Sequence, residues 1–326
     1  MKDANGRWVG WGLGDVDPKV AQIQKFLAHK FSSYAGNLIA TGVYDAATAA
    51  AVSEMQRRYG LPATGIFDYA SQVKSGFIKA TPKPRIPFFT VEGHQSDMWI
   101  GPAAGTAEAL EQEGLVAHFP TGYNNGAIPF DNKSGEVELT NRVNTFAPPG
   151  TKFLIAGFSQ GAMVVTDYMI NELIGSDREK DCLGVLLYGN PSRSKGSVAP
   201  WSKAQAGPAE NAGMEPKYRL DLLGLKPTFP VMDVYRKGDM FSDNEPTEEG
   251  ALKSACYEAI ARSNFFDQFS IAAQIAQAFM KPVDFVIGVF EAIISALTFL
   301  AAGNNSPHYS PFDLTGGINW TRQLTA

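Results

Sequence analysis

The chain has 326 residues, which is enough for about two domains, one of them large enough to bury a sheet between layers of helices. Its hydrophobic fraction of 44% and charged fraction of 19% are typical of a soluble globular protein. A net charge of -5 leaves no overall positive field, so polyanion binding is excluded as the main role and we expect no nucleic-acid partner.

Metal binding and membrane insertion are also disfavoured by the sequence. Cys182 and Cys256 are the two cysteines, and neither belongs to a C-x-x-C pair or a Cys/His cluster, so we expect no metal site. The sequence is compatible with two free thiols and equally with a disulfide between them. The N-terminus lacks the apolar segment of a secretory signal, and the apolar run at 285–302 contains Glu291 and favours a buried or groove-lining helix over a membrane span.

The N-terminal part, residues 1–79, is predicted to form a small all-helical domain with its core at about 17–77. Apolar residues recur there at helical spacing, and Gly60 is a C-terminal stop. Two turns share the pattern T-G-aliphatic-aromatic-D, and their aspartates, Asp45 and Asp68, are expected to cap the helices that follow.

Three prolines at 80–87 predict a stiff linker, and residues 88–326 predict an α/β domain. Five apolar runs that suit strands of a mostly parallel sheet occur at 88–92, 115–119, 152–156, 183–188 and 231–235. Residues 247–302 predict an inserted set of three helices with breaks near Ser263 and Lys281. This insertion is compatible with a lid or side subdomain and equally with ordinary packing helices.

Residues 157–161 read G-F-S-Q-G and lie between a predicted strand and a predicted helix. In that context the pattern indicates the nucleophile elbow of a serine hydrolase, with Ser159 as nucleophile. A serine needs a base held by a carboxylate, and the chain order in such folds is Ser, acid, His. His308 is the only histidine that follows Ser159 in the sequence, so it is the candidate base. Asp239, in the turn after the last predicted strand, is the preferred acid, with Asp233 and Asp243 as alternatives.

The oxyanion hole is expected to use the backbone N–H of Gln160 and a second N–H from the loop after the first strand, supplied by His94 or Gln95. Gly93 permits close approach of that loop. His94 is also compatible with a substrate contact or with simple packing. Asn190 and Pro191, which follow another strand, are candidates to border the substrate site, although N-P is first of all a strand-ending turn.

With these residues placed, the chain from about 86 onwards resembles the lysin B family of mycobacteriophages. The matching segments are F-T-V-E-G at 89–93, G-F-S-Q-G-A at 157–162, L-Y-G-N-P at 187–191, G-D-M at 238–240, A-L-T-F-L at 296–300 and P-H-Y at 307–309. The resemblance implies an α/β-hydrolase fold, with Ser159, Asp239 and His308 as the catalytic residues. The chain has Glu92 where the family often has histidine, which sets its oxyanion loop apart.

Residues 17–77 resemble the small helical peptidoglycan-binding domain of many wall hydrolases, through I-Q-x-x-L at 23–27 and the two T-G turns. Together the two resemblances imply an esterase that hydrolyses the bond between mycolic acids and arabinogalactan, with no cofactor. Its expected partners are mycolyl-arabinogalactan and peptidoglycan. It would be made in the host cytoplasm and act at the wall after membrane permeabilisation. The alternatives are a broader lipase or cutinase-type esterase and a non-catalytic wall-binding protein.

Overall fold

The computed structural model describes residues 1, 9–79, 84–262, 268–298 and 306–325. Parts of the predicted organisation lie outside these residues: positions 80–83 of the linker, the helix break near Ser263, and positions 299–305, which include the end of the insertion and part of the loop before His308. The chain forms two compact units, Met1–Pro84 and Arg85–Ala326.

The first unit is mainly helical, as the sequence predicts. Its helices are α1 (Pro18–Lys30), α2 (Ser32–Ala35), α3 (Ala46–Arg58) and α4 (Tyr69–Ser75). It also contains a short antiparallel pair that the sequence pattern did not indicate, β1 (Gly10–Trp11) with β2 (Phe67–Asp68). The two predicted caps are present, because Asp45 accepts from the Thr48 N–H and Asp68 from the Ser71 N–H, each at 2.8 Å.

The repeated turns of this unit are supported by two equivalent glutamines. The buried Gln24 side chain accepts from the Gly42 N–H at 3.1 Å, and the buried Gln56 side chain accepts from the Gly65 N–H at 2.9 Å. Both glycines have positive φ, 80° and 70°. The similar sequence patterns therefore correspond to one local structure that is built twice.

The second unit contains a parallel sheet with the strand order β4-β3-β5-β6-β7. Its strands are β3 (Ile86–Val91), β4 (Val116–Pro120), β5 (Phe153–Phe158), β6 (Cys182–Tyr188) and β7 (Val231–Val234). All five predicted runs form strands. The first strand begins inside the predicted linker, because Ile86 already donates its N–H to the Leu115 carbonyl. Pro87 is tolerated there because pairing with β5 begins only at Phe88.

Helices cover both faces of this sheet, which explains why its strands are apolar throughout. The helices are α5 (Pro102–Gln112), α6 (Asn132–Phe146), α7 (Gln160–Tyr168), α8 (Glu248–Arg262), α9 (Gln268–Ala278), α10 (Val283–Thr298) and α11 (Thr315–Leu324). Phe89, Ile155 and Leu187 face the layer that contains α6 and α7. The alternate residues Phe88 and Leu186 face the layer that contains α5 and α11.

The helical insertion packs on the sheet domain through its own apolar cluster. Leu252, Tyr257 and Ile260 of α8 lie in this cluster with Met163 of α7 and Phe241 after β7. Its members from α9 and α10 include Ala272, Ala276, Val286 and Ile293. Much of the apolar surface of these helices is therefore used for packing.

Candidate active site

Ser159 occupies the tight turn between β5 and α7. Its backbone has φ 54° and ψ -122°, a conformation that is costly for a residue with a side chain. The flanking glycines make the turn possible. A Cβ on Gly157 would lie 2.7 Å from the Ala162 Cα, and a Cβ on Gly161 would lie 2.1 Å from the Val91 carbonyl oxygen. The pattern G-x-S-x-G is thus required by close backbone approach on both sides of the serine.

The structure brings Ser159, His308 and Asp239 into one hydrogen-bonded chain. His308 Nε2 lies 2.8 Å from Ser159 Oγ, and His308 Nδ1 lies 2.9 Å from each carboxylate oxygen of Asp239. With a proton on Nδ1, the imidazole donates to Asp239 and accepts from the serine hydroxyl. All three side chains are buried.

Asp239 is held as a carboxylate by its surroundings. Burial alone raises its pKa, but the electrostatic interaction with His308 and hydrogen bonds from His308, Ser242 and the Phe241 N–H lower the pKa below its usual value. The Ser242 hydroxyl donates to Asp239 Oδ2 at 2.6 Å, and the Phe241 N–H donates to Oδ1 at 3.0 Å. The carboxylate is therefore charged and fixed in orientation.

The two alternative aspartates have other partners. Asp233 accepts from the Asn190 side chain at 3.1 Å and from the Ser197 hydroxyl. Asp243 accepts from the Gly238 N–H at 2.8 Å and from Asn211 at 3.0 Å. Among the described residues, Asp239 is the aspartate that contacts His308.

The imidazole of His308 is enclosed by aromatic rings. It stacks on Phe158 with a centroid separation of 5.4 Å and contacts Phe241 and Tyr309 at 4.7 Å each. Packing on several sides restricts rotation of the ring. His308 therefore remains aligned between the serine and the carboxylate.

Arg236 holds the segment that carries His308. Its guanidinium donates to the carbonyls of Pro307 and Ser310 at 2.8 Å each and of Pro311 at 2.6 Å. It also lies over the Phe312 ring at 4.1 Å. The sequence analysis did not identify Arg236 as part of the site. The one feature that could have indicated it is its position directly after the last predicted strand.

The loop after β3 meets Ser159 at Gly93. A Cβ on Gly93 would lie 2.9 Å from the Ser159 Cβ, so a larger residue would displace the loop. Asn125 clamps the loop by donating its side-chain amide to the carbonyls of Gly93 and Ser96, each at 2.8 Å. The Gln95 N–H donates to the Asn125 carbonyl at 3.1 Å. Among the described residues, the His94 N–H has no such partner.

His94 itself is buried and packs against Phe130, with 5.2 Å between ring centroids. Neither of its ring nitrogens forms a hydrogen bond within the described residues, and burial lowers the pKa of the imidazole. The neighbouring Gln160 side chain donates to Asn132 at 3.1 Å. The His94 imidazole is thus a buried, neutral ring that packs against Phe130.

Glu92 occupies the position at which the lysin B family often has a histidine. Its Oε1 accepts from the Ala104 N–H at 2.7 Å, at the N-terminus of α5. Burial raises its pKa to about 7 despite this hydrogen bond. The side chain leaves no room at Gly101, where a Cβ would lie 2.1 Å from Glu92 Oε2.

Asn190 and Pro191 serve the turn after β6. Besides donating to Asp233, Asn190 accepts from the Ser192 N–H at 2.8 Å, and the Pro191 carbonyl accepts from the Glu215 N–H at 2.9 Å. Among the described residues, no hydrogen bond joins Asn190 or Pro191 to Ser159, Asp239 or His308. Gly189, one residue earlier, lies against His308, since a Cβ there would be 2.9 Å from the imidazole Cε1.

An apolar cavity of about 430 Å³ adjoins His308. Its walls include Ile100, Pro102, Phe158, Phe312 and Leu314. None of its described lining residues belongs to the helical insertion.

Cys182 and Cys256 are free and buried. Within the described part of the chain, no three His, Cys, Asp or Glu side chains are placed to hold a metal ion, and no helix is long and apolar enough to cross a membrane.

Fold and sequence together define an α/β-hydrolase with an added N-terminal domain. Residues 16–71 match the family model described as "Putative peptidoglycan binding domain". Two relatives are called Endolysin B: that of Mycobacterium phage D29 is 27% identical over 72% of this chain and 98% of its own, and that of Mycobacterium phage L5 is 25% identical over 68% and 91%.

A solved structure gives the same result. The crystal structure of lysin B from mycobacteriophage D29 matches with a TM-score of 0.61 and 27% identity, over 73% of this chain and all of that one. The chain is a homologue of these phage Endolysin B proteins, as the sequence motifs predicted.

Proposed function

We propose that the chain is a serine esterase that hydrolyses the ester between mycolic acids and arabinogalactan in the mycobacterial envelope. The observation that carries this proposal is the hydrogen-bonded chain from Ser159 through His308 to Asp239 at the elbow between β5 and α7. Homology to phage Endolysin B supports the choice of a lysin-type substrate.

The geometry supports the following reaction. His308 Nε2 accepts the proton of Ser159 Oγ as that oxygen attacks the ester carbonyl, while Asp239 stabilises the imidazolium that forms. The tetrahedral intermediate collapses when His308 returns the proton to the alcohol oxygen of the glycan, which leaves an acyl group on Ser159. His308 then accepts a proton from a water molecule as that water attacks the acyl carbonyl, and it returns the proton to Ser159 Oγ when the bond between this oxygen and the acyl group breaks and the fatty acid leaves.

We assign the oxyanion hole to the N–H groups of Gln160 and His94. Gln160 is the first residue of α7, so its N–H has no partner within the helix. Of the two candidates for the second donor, Gln95 already donates its N–H to Asn125. The His94 N–H is therefore the better choice, and the contact of Gly93 with Ser159 brings it near the reacting carbon.

The apolar cavity beside His308 is our candidate site for the acyl chain. Its aromatic and aliphatic walls suit a hydrocarbon chain. The continuous apolar faces of the inserted helices, which include the groove-lining candidate at 285–302, also predict that these helices line a groove for the acyl chain. That remains a prediction, and the packing of these helices on their own cluster argues for a smaller contribution.

The N-terminal unit is proposed to hold peptidoglycan and so keep the esterase on its insoluble substrate, after membrane permeabilisation has given the protein access to the wall. The match to the peptidoglycan-binding family model supports this role.

Turnover of a p-nitrophenyl ester tests the chemistry. The wild-type protein should hydrolyse the ester and should be labelled on Ser159 by a fluorophosphonate, whereas Ser159→Ala with an unchanged circular dichroism spectrum should do neither. Absence of turnover and labelling in the wild type would instead favour a wall-binding protein without catalysis. Faster cleavage of triglyceride or cutin than of mycolyl-arabinogalactan would indicate a broader lipase or cutinase.

A further inference from the structure

The loop that follows β3 borders a second cavity, of about 440 Å³, whose chemistry differs from that of the apolar one. Its walls include Glu92, Ser96, Asp97, Trp99, Thr121 and Asn125. Ser96 lines both cavities. Both the apolar cavity beside His308 and this polar, aromatic cavity therefore adjoin the loop that follows β3.

Two polar side chains in this second cavity have hydrogen-bonding capacity that the protein does not use. Glu92 and Thr121 are each 1% exposed, and neither Glu92 Oε2 nor Thr121 Oγ1 has a hydrogen-bond partner among the described residues. A buried polar atom without a partner is costly, and such atoms are uncommon in folded proteins. A ligand with several hydroxyl groups would satisfy both.

Asn125 adds a third acceptor. Its side-chain N–H groups are committed to the Gly93 and Ser96 carbonyls, so its Oδ1 remains to accept a hydrogen bond. The same residue accepts from the Gln95 N–H, which places it directly against the loop that meets Ser159.

Trp99 provides an apolar surface beside these acceptors. The side chain is 56% exposed, which is high for a tryptophan, yet it is not loosely held. Its ring meets His118 edge-on with 5.6 Å between centroids, and its N–H backbone group donates to Asp97 Oδ1 at 2.8 Å. A rigid indole next to oxygen acceptors matches a sugar ring, which has an apolar C–H face and a rim of hydroxyl donors.

We propose that this cavity is a binding subsite for a neutral sugar ring, namely the sugar that carries the ester; this assignment rests on the proposed function. The lining chemistry disfavours a bound divalent cation, since the described residues contain no group of three His, Cys, Asp or Glu side chains suited to one. The acyl chain and the sugar would then occupy two cavities that share Ser96, with the ester at Ser159.

Two substrates with the same fatty acid test the subsite: an ester of methyl arabinofuranoside, which has the sugar, and a p-nitrophenyl ester, which lacks it. Trp99→Ala should raise KM for the sugar ester by about fivefold or more, because the stacking surface is lost, and change p-nitrophenyl ester turnover by no more than about twofold. Thr121→Val, nearly isosteric, should raise the same KM by about threefold.

Phe146→Ala is the matched control, because Phe146 is an aromatic residue of similar exposure that stacks on Phe119 and lines neither cavity. It should leave both substrates unchanged. Equal losses on both substrates in Trp99→Ala would overturn the subsite, as would unchanged KM for the sugar ester. Loss of sugar-ester turnover in EDTA that Ca²⁺ restores would also overturn it, in favour of a cation.

These failures are distinct from failure of the proposed function. If Ser159→Ala abolishes hydrolysis of the p-nitrophenyl ester while Trp99→Ala behaves like the control on the sugar ester, the esterase stands and the sugar subsite does not. Hydrolysis that survives in Ser159→Ala would contradict the function itself.

Discussion

The side chains around Ser159 divide into those that chain order can predict and those that only the fold reveals. His308 is predictable because it is the only histidine after the G-x-S-x-G turn, and Asp239 because it follows the last strand. Arg236 and Asn125 act through contacts to residues far away in sequence, such as Arg236 with Pro307. No local pattern marks such pairs.

Asp239→Asn tests the role of the carboxylate at the residue scale. The amide keeps the shape of the side chain but holds His308 in the wrong tautomer, so we expect kcat to fall by about 10³- to 10⁴-fold. Steady-state turnover of a p-nitrophenyl ester measures the loss.

Asp243→Asn is the control for that variant, since Asp243 lies in the same turn and caps Gly238 without touching His308. It should lose little activity. Comparable losses in both variants would show that the turn, and not the charge on Asp239, matters.

Glu92→Gln tests the buried carboxyl at the start of the loop that follows β3. Because burial raises the pKa of Glu92 to about 7, the native state binds more protons than the unfolded state between about pH 4.5 and 7. The free energy of unfolding of the wild type should therefore fall across that window, and the variant should lack this fall. As the pH rises through this window, we expect the free energy of unfolding of the wild type to fall by roughly 1–3 kcal/mol relative to that of the variant. Urea denaturation at several pH values measures this change.

Glu113→Gln is the matched control for the pH series. Glu113 is exposed, and its hydrogen bond with Arg322 lowers its pKa. The Glu113→Gln variant should therefore still lose stability between about pH 4.5 and 7, as the wild type does. A pH-independent difference between wild type and Glu92→Gln would mean that Glu92 has an ordinary pKa.

Among the elements, the helical insertion has two possible roles in the sequence analysis, a lid or side subdomain and ordinary packing helices. Its packing on the rest of the domain bears on this choice. Helix α8 is attached to the sheet domain by Arg262, whose guanidinium donates to both oxygens of Asp167 at 2.9 Å and to Glu215 at 3.0 Å. Both carboxylates are buried. The strands, by contrast, were predictable to within two residues because burial on both faces requires continuous apolar runs.

Arg262→Ala tests whether α8 is a fixed part of the domain. Removing the guanidinium leaves two buried carboxylates without their cation, so we expect a loss of about 3–5 kcal/mol in the free energy of unfolding. Arg322→Ala, which breaks the exposed pair with Glu113, should change the free energy of unfolding far less, because solvent screens an exposed ion pair. Equal small losses in the two variants would indicate that α8 detaches readily, as a lid would.

At the scale of the whole molecule, two compact units carry separate proposed tasks. Residues 16–71 of the N-terminal unit match the peptidoglycan-binding family model, and the α/β unit carries the candidate catalytic residues. The short β1–β2 pair was not predictable, since two-residue strands have no periodicity of their own.

Sedimentation with purified peptidoglycan tests this separation. We expect the wild type and Ser159→Ala to bind to the same extent, because Ser159 lies outside the N-terminal unit. Excess soluble peptidoglycan fragments should release both. Failure of the wild type to sediment would remove the wall-binding role and leave the esterase chemistry untouched.

The most direct test of the central claim is the amount of mycolic acid released from purified mycolyl-arabinogalactan by equal quantities of wild type and Ser159→Ala. We predict release by the wild type that increases with time, and none above background by the variant. Equal release by the two proteins, or no release by a wild type that still cleaves p-nitrophenyl esters, would contradict the account.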